Sequence, residues 1–201
     1  MNDLKSQKAI AILLKENNGI LKASDARLAG IDNKKLQRLA EAGFLERVSR
    51  GLYIPASDMS DNYFVAQHKC GRGVFSHETA LFFHGLSDRI PMQLMITIPS
   101  GYNSTLLKDR DSYRFFYCKP DVYRIGITTV KSPHGNDLRA YDQERTLCDC
   151  IKKKDSLDSD LVLSAVKQYV RGKGADFAKL LGYAEILKIR DIVRQYIEVL
   201  V

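Results

Sequence analysis

A chain of 201 residues that is 45% hydrophobic and carries 31 Lys or Arg against 24 Asp or Glu, for a formal charge of +7, has material for one large or two small cored domains. The surplus of base favours acidic partners such as nucleic acid or anionic lipid. No apolar run nears the ~18 residues of a membrane span, and the polar start Met1-Asn2-Asp3 lacks the plan of a signal peptide, so a cytoplasmic protein without a membrane partner is expected.

The charge is uneven: ten Lys or Arg stand against six Asp or Glu through Ser57, a surplus of +4, and 21 against 18 in the longer remainder. Cys70, Cys118, Cys148 and Cys150 are even in number. Without an export signal they read as reduced, mostly buried thiols, and Cys148-x-Cys150 does not have zinc-knuckle spacing. No cofactor and no metal are expected.

In chain order, Ile10, Leu13 and Leu14 among Lys5, Lys8, Lys15 and Glu16 predict an amphipathic helix over 4–17, ended by Asn17-Asn18-Gly19. Ser24 is placed to cap a short helix with Asp25 in its first turn and Leu28 and Ala29 facing inward, stopped by Gly30. Asp32 is a good N-cap for a third helix whose buried stripe is Leu36, Leu39 and Ala40, closed by Gly43. Two extended runs follow, 44–48 and 52–54, joined at Ser49-Arg50-Gly51, where Gly51 suits a hairpin turn. Helix, short helix, helix and hairpin together predict a winged helix-turn-helix.

Lys34 and Lys35 lie in the first turn of the third helix. There the helix dipole makes cations unfavourable by a few tenths to about 1 kcal/mol each, and a DNA phosphate or a guanine edge would reverse that sign. Asn33, Lys34, Lys35, Gln37 and Arg38 lie off the buried stripe, and the hairpin adds Arg47, Ser49 and Arg50. With Ser24 these form the candidate DNA-binding set; a plain solvated charged face is the alternative reading.

The polar stretch Pro55 to Asp61 marks a boundary, giving a DNA-binding domain at 1–57 and a second domain at 58–201. Within the latter, helices are expected at 62–70 and 77–84, the second capped by Ser76 and closed by Gly85. His77-Glu78 lacks the second histidine of a zincin, position 81 being Leu81. Strands are expected at 94–98, 113–118 and 124–130, with the Tyr102 to Arg110 stretch, including Lys108, as a sheet connection. Asp142 can cap a helix running to Lys154, in which Arg145 and Asp149 can pair. Further helical spans at 158–170 and 176–199 carry Leu161, Ala165 and Val166 and then Ile186, Ile189, Val193 and Ile197 as apolar stripes. The groups Lys152-Lys153-Lys154 and Lys167, Arg171, Lys173 read equally as DNA contacts or as cations favoured at helix ends. The expected class is α+β, a winged helix-turn-helix followed by a larger mixed α/β domain ending in helices. Since no nucleotide loop, catalytic triad or convincing carboxylate cluster is present, a binding protein and not an enzyme is expected. A DNA-processing enzyme would have to use Glu78, Asp142, Glu144 and Asp149.

The stretches "LERVSRGLYIP", "SHETALFFHGLSDRIP", "LMITIPSG" and "YDQERTLCDCIK", in this order and spacing, resemble the AbiEi antitoxin family of bacterial type IV toxin-antitoxin and abortive-infection systems, which act in phage resistance. The resemblance implies a transcriptional autorepressor whose N-terminal domain binds inverted repeats in its own promoter. It also implies a C-terminal domain that counters a nucleotidyltransferase-like toxin without a stable complex. It supplies no catalytic motif. The rival reading is a winged-helix regulator whose C-terminal domain senses a small ligand or a protein partner.

Overall fold

The computed structural model describes residues 2–56 and 61–198, so most of the expected 55–61 linker, including the 57/58 boundary, lies outside the described residues. The chain is of mixed α+β class and divides into two compact units. The first comprises the segment up to Lys69 together with residues 132–136; the second comprises 70–131 and 137 onward.

In the first unit, α1 (Asn2–Glu16) leads through the two-residue strand β1 (Leu21–Lys22) to α2 (Ala23–Leu28) and α3 (Asn33–Glu41). Strands β2 (Leu45–Ser49) and β3 (Leu52–Pro55) then form an antiparallel hairpin, and β1 adds to the free side of β3 to give the order β1-β3-β2. One apolar cluster joins these pieces: Ile10, Leu21, Ala26, Ile31, Leu36, Leu45 and Tyr53, with Leu13, Leu14, Leu39 and Ala40 packed against it. Full burial of a side chain such as Leu36 contributes roughly 1.5–3 kcal/mol. Helix α4 (Asn62–Lys69) buries Phe64, Val65 and Ala66.

Two expectations for α2 are corrected. Ser24 does not cap it: the residue in the capping position is Lys22, which makes no side-chain cap bond. The cause is the neighbouring sheet, since Lys22 pairs with Leu52 and the Ala23 N–H donates to Gly51 O at 2.8 Å, starting the helix two residues early. Ser24 is therefore internal and donates its hydroxyl to Asp25 Oδ1 at 2.8 Å. Nor does Leu28 face inward. In so short a helix only Ala26 reaches the core, and Leu28 is 90% exposed; Ala29 is exposed as well.

The second unit is built on a five-stranded mixed sheet, ordered β6-β5-β4-β8-β7, from β4 (Val74–Phe75), β5 (Leu94–Pro99), β6 (Tyr113–Cys118), β7 (Ile127–Lys131) and β8 (Asp137–Tyr141). The pairs β5/β6 and β4/β8 are parallel, while β4/β5 and β7/β8 are antiparallel. Helices α5 (His77–Phe83), α7 (Gln143–Lys152), α8 (Ser159–Arg171), α9 (Phe177–Ile186) and α10 (Arg190–Glu198) form the rest, with one turn of helix, α6 (Pro120–Tyr123), between β6 and β7. Their shared core includes Leu81, Leu147, Ile151, Val162, Val166, Leu180 and Val193. Helix α7 is enclosed: every residue from Glu144 to Ile151 is buried.

The strand expected over 124–130 starts three residues later, because Pro120 in the first turn of α6 pre-sets a helical turn there. The helical span expected over 176–199 is two helices, broken at Lys188, whose φ of 58° is left-handed. The break lets Ile189 and Val193 turn inward while Ile186 is left 49% exposed. The helix begun at Asp142 stops at Lys152 instead of Lys154. Ser76 holds the N-cap position of α5 but makes no cap bond, because its hydroxyl faces His77 Nδ1 and Thr97 Oγ1.

Candidate nucleic-acid interface

Helix α3 is defined at both ends by its own sequence. Asp32 Oδ1 accepts from the Lys35 N–H at 2.7 Å, satisfying one of the free donors of the first turn. At the other end Phe44 N–H donates to Leu39 O at 2.9 Å and Gly43 N–H to Ala40 O at 3.1 Å, the paired closure that lets a helix stop within one residue. Between these ends Leu36 is fully buried and Leu39 and Ala40 pack beside it. The helical period then turns Asn33, Lys34, Gln37 and Arg38 outward, and all four are exposed. Lys35, at the edge of the stripe, is half-buried.

The hairpin begins directly after this closure. Arg47 pairs with Tyr53 and Ser49 with Leu52, with a bulge at Val48 between them. Such an extra residue bends the strand and re-aims the side chains beside it: Val48 is buried, whereas Arg47 and Arg50 are exposed and Ser49 is half-buried. Gly51 has a φ of 76°, the left-handed conformation that glycine adopts at little cost, and this lets the chain reverse after Arg50. Its carbonyl receives the Ala23 N–H described above, so the turn is tied to the start of α2, where Ser24 lies exposed. Arg47 Nε–H reaches Ser49 O at 3.4 Å, a long bond that leaves the guanidinium available.

Two acids near these cations are already engaged. The Asp32 carboxylate caps α3, and Glu46 accepts from Lys69 Nζ at 2.9 Å. Among the described residues no ion pair occupies Lys34, Arg38, Arg47 or Arg50. Sequence reasoning missed the Glu46–Lys69 pair, which spans 23 positions and has no local signature.

Three of the four carboxylates considered as catalytic candidates have structural partners; the fourth, Glu78, is half-buried in the first turn of α5. Asp142 Oδ1 caps α7 by accepting from the Arg145 N–H at 2.9 Å, and its Oδ2 accepts from Tyr183 Oη–H at 3.0 Å and Lys179 Nζ at 3.1 Å. Glu144 accepts from Tyr169 Oη–H and from Lys179 Nζ, each at 2.9 Å. Asp149 pairs with Arg145 at 3.1 Å. The Arg145 guanidinium also donates to Val122 O and Ile125 O and lies 4.3 Å from the centre of the Tyr141 ring. The four cysteines are free thiols, three of them buried, and burial raises the Cys148 thiol to about 12.

Residues 8–56 match the family model described as "Transcriptional regulator, AbiEi antitoxin". This segment runs from within α1 to the residue after β3, so it contains α3 and the whole hairpin. Over those residues the chain is similar to this family of antitoxin transcriptional regulators. No curated protein matches the chain. No helix among the described residues is long and apolar enough to cross a membrane.

Proposed function

We propose that the first unit works as a winged helix-turn-helix that binds inverted repeats in its own promoter and represses its operon, and that the whole chain is the antitoxin of a type IV system acting in phage resistance. In this reading α3 enters the major groove, where Asn33, Lys34 and Gln37 reach base edges and Lys35 and Arg38 grip phosphates. Arg47, Ser49 and Arg50 hold the backbone or the minor groove from the hairpin, and Ser24 adds a contact from α2. The observation that carries the proposal is the outward face of α3: four polar or basic side chains exposed on a helix capped at both ends, followed within ten residues by a hairpin carrying two exposed arginines.

The second domain counters a nucleotidyltransferase-like toxin in the cytoplasm without forming a stable complex and without catalysis of its own. The absence of catalysis is supported by the engagement of Asp142, Glu144 and Asp149 in caps and ion pairs. A regulator that senses a small ligand is favoured by a separate observation, a basic cavity in the second unit.

Two variants test the DNA-binding reading. Arg50→Ala should weaken binding to promoter DNA and lower the slope of log K against log salt by about one unit, as expected for the loss of one phosphate contact. An unchanged slope in a salt titration removes Arg50 from the interface. Gln37→Ala should lower affinity for the promoter repeats more than for random duplex; equal losses on both would count against base reading. Co-expression with the nucleotidyltransferase-like gene product tests the antitoxin role, and no rescue of growth by the intact chain would refute it.

A further inference from the structure

The second unit carries a half-open cavity of about 490 Å3, within the ~300–1,000 Å3 range of small-molecule sites. Thr97 and Phe116, from β5 and β6, line it together with His77 at the start of α5; the apolar part of the wall is Val122, Ile186 and Leu187. Four lysines surround it: Lys119 before α6, Lys152 and Lys153 at the end of α7, and Lys188 at the break between α9 and α10. The lining groups Arg145 and Asp149 neutralise each other, which leaves a formal charge of +4 from the lysines. Lys152 is fixed by donating to Leu187 O at 3.1 Å. No ion pair engages any of the four among the described residues.

Two strained residues border the same space. Among the described residues three non-glycine side chains have positive φ, and two of these, His77 at 50° and Lys188 at 58°, line the cavity. Lys188 occupies the position after α9 where glycine closes a helix at least cost: its N–H donates to Glu185 O, and the Ile189 N–H to Ala184 O. A lysine there keeps an ammonium group at the rim at the expense of backbone strain.

His77 is buried and stacks on Phe116 with ring centres 3.6 Å apart. Desolvation first, and then the charges of Arg114, Lys153 and Arg145, lower it to about 3, so the ring is neutral. Ser76 Oγ accepts from Thr97 Oγ1–H and lies 2.9 Å from His77 Nδ1; when the Ser76 hydroxyl donates to Nδ1, the ring's proton sits on Nε2. That N–H has no partner among the described residues and is a donor for a ligand oxygen.

We propose that this cavity binds a small phosphate-bearing ligand, a nucleotide or a free oligophosphate, with its phosphates held by Lys119, Lys152, Lys153 and Lys188 and by His77 Nε2–H. Like charges gathered in a concave, partly apolar site are unfavourable until an anion fills it. The concavity and the apolar wall favour a small anion over a duplex, which is bound on basic stripes and faces that follow its backbone. The site lies within the second unit and does not depend on the DNA-binding reading of α3.

The test is calorimetric titration of the full chain with GTP, ATP and inorganic pyrophosphate, each at low and at moderate salt, for the natural protein and a Lys153→Ala, Lys188→Gly double variant. Saturable binding that weakens with salt is expected, with at least a tenfold loss in the double variant, while Lys188→Gly alone should melt at a higher temperature by relieving the left-handed strain. Tighter binding of the nucleotides identifies a nucleotide as the natural ligand; tighter binding of pyrophosphate identifies a free oligophosphate. The proposal is overturned if none of the three binds by 1 mM or if the double variant binds as tightly as the natural chain. It is equally overturned if the double variant loses affinity for duplex DNA and not for these anions. Failure of promoter binding in the natural chain would instead refute the reading of α3 and leave this site standing.

Discussion

His77 concentrates three constraints in one residue: a left-handed backbone, complete burial against Phe116, and a ring held neutral beside Arg114, Lys153 and Arg145. Its pKa is lowered from 6.5 to about 3, and this has a definite consequence for stability. As pH falls below 6.5 the unfolded chain takes up a proton at this position while the folded chain does not, down to about pH 3. The stability contributed by a neutral His77 is therefore fully present above pH 6.5 and lost at about 1.4 kcal/mol per pH unit below it. Urea unfolding at pH 7 and pH 5 should show the natural chain losing about 2 kcal/mol more than His77→Asn, asparagine being one of the few side chains at ease in that backbone region. Equal losses would show that the imidazole takes up its proton in the folded state as readily as in the unfolded chain. Nothing in the linear sequence indicated this environment: Ser76, Thr97 and Phe116 are brought around the ring by strand pairing, and the His-Glu dipeptide suggested only a metal motif that its spacing rejects.

At the scale of elements, the two ends of α3 were legible because capping is local. Asp32 and Gly43 act on groups no more than four residues away. The same local logic failed for α2, where the hydrogen bond from Ala23 to Gly51 and the pairing of β1 with β3 decided where the helix starts. It also missed β4 and β8, two of the three inner strands of the second sheet: β4 has two residues, too few to show a period, and β8 alternates over only five residues, Asp137 to Tyr141, with no β-branched side chain among them. The stretch after Asp176 read as one span because its apolar spacing continues through the break that Lys188 makes. The capping of α3 gives a prediction that separates folding from binding. Asp32→Asn should preserve stability, since both side chains are good N-caps, yet remove a negative charge beside Lys34 and Lys35. A thermal unfolding curve within about 0.5 kcal/mol of the natural protein, together with several-fold tighter binding to duplex DNA, is expected. Weaker binding would mean that the carboxylate itself orients a contact.

For the whole molecule, the main features are the enclosed helix α7 and the route of the chain. The Asp142-Glu144-Arg145-Asp149 series was visible as a possible ion pair with a cap, but the partners that engage it, Tyr169, Lys179 and Tyr183, arrive from 25 to 41 positions away. Residues 132–136 belong to the first unit, although β7 and β8 on either side of them belong to the second. Within the first unit the buried Asp61 accepts from the Phe64 N–H at 3.1 Å, from Asn136 Nδ2–H at 2.8 Å and from Ser132 Oγ–H. Charged hydrogen bonds of this kind contribute about 1.5–3 kcal/mol each. Asp61→Ala in the full chain should therefore lower the unfolding free energy by about 3 kcal/mol or more; a change under about 0.5 kcal/mol would make the network dispensable.

The chain therefore passes between the units three times, after Lys69, after Lys131 and after Asn136, which bears on how such a protein can be recombined. The segment matching the regulator family ends at residue 56, and a natural exchange of that segment would have to place its crossover nearby. A crossover at 56/57 strands Glu46 from Lys69, and one at 69/70 separates Asp61 from the partners contributed by 132–136. The first loses an exposed ion pair, worth at most about 1 kcal/mol, and the long hydrogen bond from Asn136 Nδ2–H to Asn18 O, and the second a buried network. Inheritance by exchange is thus channelled to the seam after the hairpin, with Asp61, α4 and the 132–136 loop passed on together.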